Sequence, residues 1–287
     1  MNRNRGIAAV VVIYNPDKSV EDNIMTYVSE VDKLYVIDNT PQQMEKNNFI
    51  IPKYDNLEYF ALNENKGIAY ALNKGVELAE EDGFDYLLTM DQDSCFKSYN
   101  LGRYVKEAMK LYENDKNIAI IGISHDAYKI RYPNKEWEYA RNVITSGMII
   151  SLIASKSLGK FREDFFIDFV DYEYCYRAWD SGYKVIVITN CKLTHQVGGM
   201  HPIKFFGIHF NNHNAHNKIR IYYQFRNAIT VMKLYPRIIP TCLMMYIKDW
   251  IKMICVERDA KNKFLYSLYG IRDGIFNHLG RIEVDNK

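Results

Sequence analysis

A mostly parallel α/β sheet flanked by helices, with a helical C-terminal extension, is the fold class this sequence predicts. Three observations carry that expectation. Short β-rich runs alternate with turns or helical stretches through about the first ninety residues. Polar residues gather where each of those runs ends. From Ile219 onward the pattern becomes helical.

The elements follow in order. Ile7 to Tyr14 is apolar on both faces, as a central strand covered by helices must be. Asn15-Pro16 turns the chain, and a helix is expected from about Ser19 to Ser29 with Ser19 as its cap. Leu34 to Ile37 and Leu57 to Leu62 read as the second and third strands, ending in Asp38-Asn39 and in Asn63 to Gly67. A helix over roughly Ile68 to Glu81 stops at Gly83, and the next apolar run ends in Asp91-Gln92-Asp93. A helix near Tyr99 to Tyr112, a strand Ile118 to Ile123 and a polar excursion with Trp137 and Tyr139 come next. Val143 to Ser151 is a β-like run in which Gly147 marks a bulge or a close approach of another backbone or a ligand. Asp168, Asp171 and Glu173 lie among bulky apolar residues at the start of a helix ending at Gly182, and Lys184 to Thr189 is a further strand. His209 to His216 reads as a mobile polar loop, its spacing matching no tetrahedral zinc pattern.

Composition excludes extremes. The chain has 287 residues, 48% apolar and 25% charged, with a net charge of +2, so no nucleic-acid partner is expected. The 23 tyrosines suit carbohydrate faces, membrane interfaces or core. Five scattered cysteines without a Cys-x-x-Cys read as reduced thiols of a cytosolic protein, and Ile7 to Tyr14 is too short for a secretory signal. Ile238 to Val256 is apolar but interrupted by Lys248, Asp249 and Lys252. It is a poor spanning segment that could lie in a bilayer interface or pack on the core.

Residues two apart on an extended backbone project to one side, so Asp91 and Asp93 bring like charges together at a strand's carboxyl end. A hard divalent ion shared with substrate phosphates would balance them; acidic pairs in surface turns are also common by chance. Asn and Asp make good turns, which accounts for any one strand end. Tyr14-Asn15, Asp38-Asn39, Asn65 and Asp91 with Asp93 together make a set able to bind a nucleotide. Neither Gly-x-Gly-x-x-Gly nor a Walker lysine loop is present. The acids at 168, 171 and 173 answer either to a helix dipole or to proton abstraction by a carboxylate held among apolar neighbours. A single His is more often structural than a ligand, but His195 precedes the tight Gly198-Gly199 loop, and imidazole binds Mn2+-like ions.

The islands Val11 to Asn15, Val36 to Asn39, Asn65 to Gly75, Asp91 to Ser94, Ser146-Gly147, Phe166 to Ala178, His195 with Gly198-Gly199, and Tyr222 to Asn227 resemble one family. It is the inverting family 2 glycosyltransferases of the GT-A fold, within them the bacterial rhamnosyltransferase-like branch. The resemblance implies a catalytic domain over 1–218, with a nucleotide-sugar half at about 1–95 and an acceptor half at about 96–218, and an extension over 219–287 that could contact a membrane. It implies that Tyr14, Asn15, Asp38, Asn65, Lys66, Gly67, Asn73, Asp91 and Gln92 hold the nucleotide-sugar, with Asp38 on the base. Asp91 and Asp93 would hold Mg2+ or Mn2+ against the diphosphate, completed by His195, and Asp171 would be the catalytic base, with Val170 where the family usually has Glu. Ser146, Gly147, Asp168, Glu173 and Arg226 are assigned to the acceptor or diphosphate. The implied donor is dTDP-rhamnose and the acceptor a glycan or lipid-linked glycan, at the cytoplasmic face of a bacterial membrane. A UDP-sugar hexosyl- or galactofuranosyltransferase, and a non-catalytic sugar-nucleotide-binding protein, are the alternatives.

Overall fold

The computed structural model describes residues 4–44, 49–96, 100–125, 128–132, 134–195, 203–205, 208–210, 217–256 and 259–283. Two compact units emerge, one of Met1–Arg162 with Asp171–Gln196, the other of Glu163–Val170 with Val197–Lys287.

In the first unit, β1 (Asn4–Ile13), β2 (Lys33–Asp38), β3 (Leu57–Ala61) and β4 (Phe84–Asp91) lie in the order β3-β2-β1-β4, all parallel. The first two crossovers run outward from β1; the third, through α2 (Ile68–Glu81), returns to its other side. That reversal between β1 and β4 is a topological switch point, where ligands of open α/β sheets bind beyond the carboxyl ends of the strands. Apolar residues on both faces bury β1 completely from Ala8 to Val11. Gly75 of α2 faces Val10 so closely that any Cβ would overlap its side chain, and the helix sits directly on the central strand.

Beyond β4 the sheet turns mixed. β6 (Ile118–His125) leads through the short edge strand β7 (Trp137–Tyr139) to β8 (Met148–Ser151), with no helix among the described residues between them. Without a helical crossover β8 enters antiparallel to both β4 and β6. β9 (Lys184–His195) runs parallel to β6, and the two-residue β5 (Ser94–Cys95) pairs antiparallel with the end of β9.

Around the sheet pack α1 (Ser19–Met25), α3 (Asn100–Asn114), α4 (Leu152–Leu158) and α5 (Val170–Asp180). Several tyrosines are core: Tyr104 and Tyr112 are fully buried with hydroxyls donating to the Gly147 and Ile149 carbonyls at 2.7 and 2.8 Å. Bonded hydroxyls let such rings fill the core at little polar cost. Cys175, Cys191 and Cys242 are buried free thiols.

Local expectations failed where a neighbour outbid them. α1 ends at Met25 rather than near Ser29, and Ser19 does not cap it; Asp17 accepts the Ser19 amide at 2.8 Å instead. Only Met148–Ser151 of the β-like run is strand, and Ser151 then caps the unforeseen α4 by accepting the Ala154 amide. In the polar stretch from His209, residues 208–210 form β11 (Ile208–Phe210), paired with β10 (Ile203–Phe205); 211–216 lie outside the described residues.

The second unit is built on α6 (Lys218–Leu234), α7 (Ile239–Val256) and α8 (Ala260–Phe276). Trp250 of α7 stacks on Phe225 and donates to Ser267 at 3.0 Å, while Tyr222 of α6 donates to Asp273 of α8 at 2.9 Å. Leu243, Met244, Ile247 and Ile251 leave an apolar arc of α7 exposed. Among the described residues no helix is long and apolar enough to cross a membrane.

Candidate active site

The register puts the strand ends side by side: Ile13 opposite Asp38, Asp38 opposite Ala61, and Val12 opposite Asp91. With strands about 4.8 Å apart, the Asp38 and Asp91 backbones flank β1 at a separation of about 10 Å. Asp38 is held in place by the hydroxyl of Tyr59 at 2.6 Å and the amide of Thr40 at 2.9 Å. A carboxylate has about four acceptor sites, so Asp38 keeps capacity for a ligand N–H. Beside it Asn39, buried, donates to Asn65 at 3.0 Å and accepts from the Lys66 amide at 2.8 Å. Asn65 accepts from Gly67, whose positive φ of 87° starts α2. Lys66 lies 4.7 Å above the Tyr70 ring.

Across β1, the Gln92 side chain accepts the Tyr14 amide at 2.7 Å, and the Gln92 backbone carbonyl accepts from the Asn23 side chain at 2.8 Å. Asn15, at φ 45°, donates its amide to Thr40. Thr145 donates to Asp91 at 3.1 Å. Behind it the buried Thr89 hydroxyl donates to the Thr145 carbonyl. Tyr27 is buried nearby, and burial, followed by the charge of Asp91, holds its phenol far above the ordinary range.

A bulge brings His195 into this neighbourhood. Pairing of β6 with β9 jumps from Ile123–Ile188 to Ser124–Lys192, which loops out Thr189–Cys191 and redirects the rest of the strand. Its end then pairs with β5, Ser94 opposite His195, so the His195 backbone lies one residue in register from Asp93. The His195 side chain, Gly198 and Gly199 lie outside the described residues. Among the described residues no three His, Cys, Asp or Glu side chains form a metal cluster. Asp91 ends β4, whereas Gln92 and Asp93 form the turn into β5, so the two acids do not share one extended stretch. Two carboxylates so close in the chain are still donors of the kind that suits Mg2+ or Mn2+, which keep waters and take substrate phosphates rather than needing an all-protein cage.

The three acids of the 168–173 stretch separate cleanly. Glu173 is 2% exposed and paired with Arg177 through two contacts, at 3.1 and 2.5 Å. Arg177 also bonds the Leu158 and Lys160 carbonyls. Asp168 accepts from Arg220 at 3.1 and 3.2 Å. Asp171, in the first turn of α5, accepts its neighbour's Tyr172 amide at 2.8 Å.

Other residues expected at a ligand face inward. Both ends of the Asn73 amide bond the Phe161 backbone, at 2.8 and 2.9 Å. Ser146 is 1% exposed, and Gly147, at φ 77°, leaves no room for a side chain beside Ile123. Arg226 is 1% exposed, its guanidinium bonding the Asp164, Phe165 and Gly280 carbonyls. All of these residues, Glu173 included, make contacts that support the fold. Sequence reasoning missed Tyr59 and Thr145, which orient Asp38 and Asp91; Thr145 directly precedes the flagged Ser146-Gly147, but nothing local marks Tyr59.

Asp38 and Asp91, each oriented by a hydroxyl, thus stand at the switch point, where open α/β sheets that handle ligands place them. The model of glycosyl transferase family 2 matches residues 10–166, and the chain belongs to that family: it is a glycosyltransferase. It is 28% identical over 250 residues, 80% of this chain and 81% of the relative, to the dTDP-rhamnosyl transferase RfbF of Shigella flexneri. Two solved structures share its fold at 12% identity. GalNAc-T7 with UDP, GalNAc and Mn2+ superposes with a TM-score of 0.55 over 81% of this chain, which spans about half (48%) of that one. Residues 1–349 of S. aureus TarS superpose with 0.54 over 94% of this chain and 81% of that one. Both are glycosyltransferases of the GT-A fold.

Proposed function

We propose that this enzyme transfers L-rhamnose from dTDP-rhamnose to a hydroxyl of a growing glycan, with inversion at the anomeric carbon. The likeness to a dTDP-rhamnosyl transferase over four-fifths of the chain supports the donor. The observation that carries the site is the register that sets Asp38 and Asp91 on either side of β1 at the switch point. Asp38, oriented by Tyr59, accepts the ring N–H of the thymine base, with Tyr14, Asn15, Asn65, Lys66, Gly67 and Gln92 around the nucleoside and diphosphate. Asp91 and Asp93, with His195, would hold Mg2+ or Mn2+; the GalNAc-T7 structure holds Mn2+. When bound, that ion neutralises the charge developing on the leaving diphosphate.

Asp171 takes the proton of the acceptor hydroxyl as its oxygen bonds to the anomeric carbon. The bond from that carbon to the diphosphate oxygen breaks in the same displacement, and dTDP leaves. Asp171 ends protonated and returns its proton to solvent. α7 supports a membrane-bound acceptor. Its bared Leu243, Met244, Ile247 and Ile251 belong to a tail, 218–287, with 13 Lys and Arg against 6 Asp and Glu, while residues 1–217 carry 24 against 29. An apolar arc on a basic segment suits an anionic lipid surface. The deciding test is thermal shift with dTDP-rhamnose, UDP-glucose, UDP-galactofuranose and GDP-mannose, each with Mn2+, followed by assay of nucleoside diphosphate release with glycan acceptors. Stabilisation and turnover by dTDP-rhamnose alone are expected. Preference for a UDP-sugar overturns the donor, and binding without turnover overturns the enzyme reading.

A further inference from the structure

The loop from Glu163 to Phe169, which runs without a break into α5 and Asp171, is backbone that few residues tolerate. Phe166, Asp168 and Phe169 have φ values of 64°, 62° and 63°, in the left-handed region that bulky side chains avoid. The Ile167 amide donates to the Phe165 carbonyl at 2.7 Å, across Phe166 at positive φ, which makes a tight γ-turn of the rare, strained hand. Such a conformation persists only where its surroundings over-determine it.

One face of α6 supplies that determination. Asn227, fully buried, shares its amide hydrogens among the carbonyls of Phe165, Ile167 and Asp168 at 3.0, 2.7 and 2.9 Å. Arg226 donates to the Asp164 and Phe165 carbonyls, and its Nε donates to Asn227 Oδ1 at 2.9 Å, which settles which way the amide points. Tyr223 stacks on Phe166 at 5.1 Å, and Arg220 pairs with the Asp168 carboxylate. Residues 220, 223 and 227 recur at helical spacing. Four carbonyls, one ring and one carboxylate of a single loop are thus held from one helix.

We propose that Asn227, oriented by Arg226, is a positioning residue for sugar transfer: it holds the 163–169 loop in its strained form so that α5 begins in the register that presents Asp171. The proposal rests on the reading of Asp171 as the base. A misplacement of the base by about 1 Å costs about 100-fold in rate without altering donor contacts.

Asn227→Ala tests it by two readouts. Hydrogen exchange of the peptide covering 163–174 should rise at least about tenfold while the sheet strands keep their protection. In the full-length enzyme kcat should fall about 10–100-fold, with donor KM within about twofold. Asn227→Asp, which cannot donate, should match Ala. Arg220→Gln, at a partly exposed position, leaves the protein folded and should move both readouts in the same direction by less. Unchanged exchange over 163–174, or a loss carried by donor KM with kcat intact, overturns the proposal. Asp171→Asn run alongside keeps the two ideas apart: full turnover there removes the base, while the exchange data decide the clamp.

Discussion

Asp171 and Glu173 sit two residues apart in one helical turn, yet the proposed mechanism and the ion pairing give their loss opposite consequences. Asp171→Asn removes the proposed proton abstraction, worth on the order of 10²–10⁴ in rate, or about 3–5 kcal/mol at 1.36 kcal/mol per decade. It keeps the shape and leaves an oxygen for the Tyr172 amide, so the melting temperature should move by no more than about 1 °C. Glu173→Gln breaks a bidentate ion pair whose carboxylate is buried. Breaking a buried pair costs about 3–5 kcal/mol. Arg177 is partly exposed and retains the Leu158 and Lys160 carbonyls, so the loss should fall nearer 2–3 kcal/mol. At about 2–4 °C per kcal/mol in a chain of this size, that is a fall of about 5–10 °C. The assay pairs differential scanning with nucleoside diphosphate release under saturating donor and acceptor, well below either melting point. A Glu173→Gln enzyme that is thermally intact but inactive, or an Asp171→Asn enzyme that turns over normally, would refute the division of roles.

Three further outcomes are expected. Tyr59→Phe removes one of the bonds orienting Asp38; donor Kd should rise about 3–10-fold, the equivalent of about 0.5–1.5 kcal/mol, with kcat unchanged, read by titration calorimetry and steady-state kinetics. Gly147→Ala adds a methyl against Ile123 at a backbone of φ 77°, and the overpacking should cost about 1–3 kcal/mol, visible in the urea midpoint. At Asp273 burial pushes the carboxyl upward, but bonds from Arg272 and Tyr222 outweigh it and hold its pKa below the ordinary value. A depressed folded pKa contributes stability that is present above the unfolded value of about 3.9 and is lost as pH falls through the folded one. Asp273→Asn should therefore lower the urea midpoint at about pH 6, with the gap to wild type closing below about pH 4.

How much of this was legible in the sequence depends on how far each determinant reaches along the chain. The four parallel strands, their polar ends and the helix between Ile68 and Glu81 were read correctly, because hydrophobic runs and terminal Asn, Asp and Gly are local signals. Val143 to Ser151 misled because β-branched residues also suit the loop that carries Val143 and Ile144, and the Ser151 cap starting α4 was overlooked. The helical tail was legible; that Gly280 meets Asp164 was not, since 116 residues separate them.

The acids at 168, 171 and 173 show the limit most sharply. In sequence they are equivalent: three carboxylates among aromatics at a helix start. The structural tie of Glu173 could have been foreseen, since Arg177 follows it at i+4 in the favourable order of signs. Asp168 could not, because its partner Arg220 lies 52 residues away. The same holds for Asn227, whose bonding partners are carbonyls about 60 residues upstream. Reactive residues advertise themselves by type and spacing, whereas the residues that hold them take their identity from the backbone they reach. A motif can thus nominate Asp171, but only the fold can nominate the residues proposed to hold it.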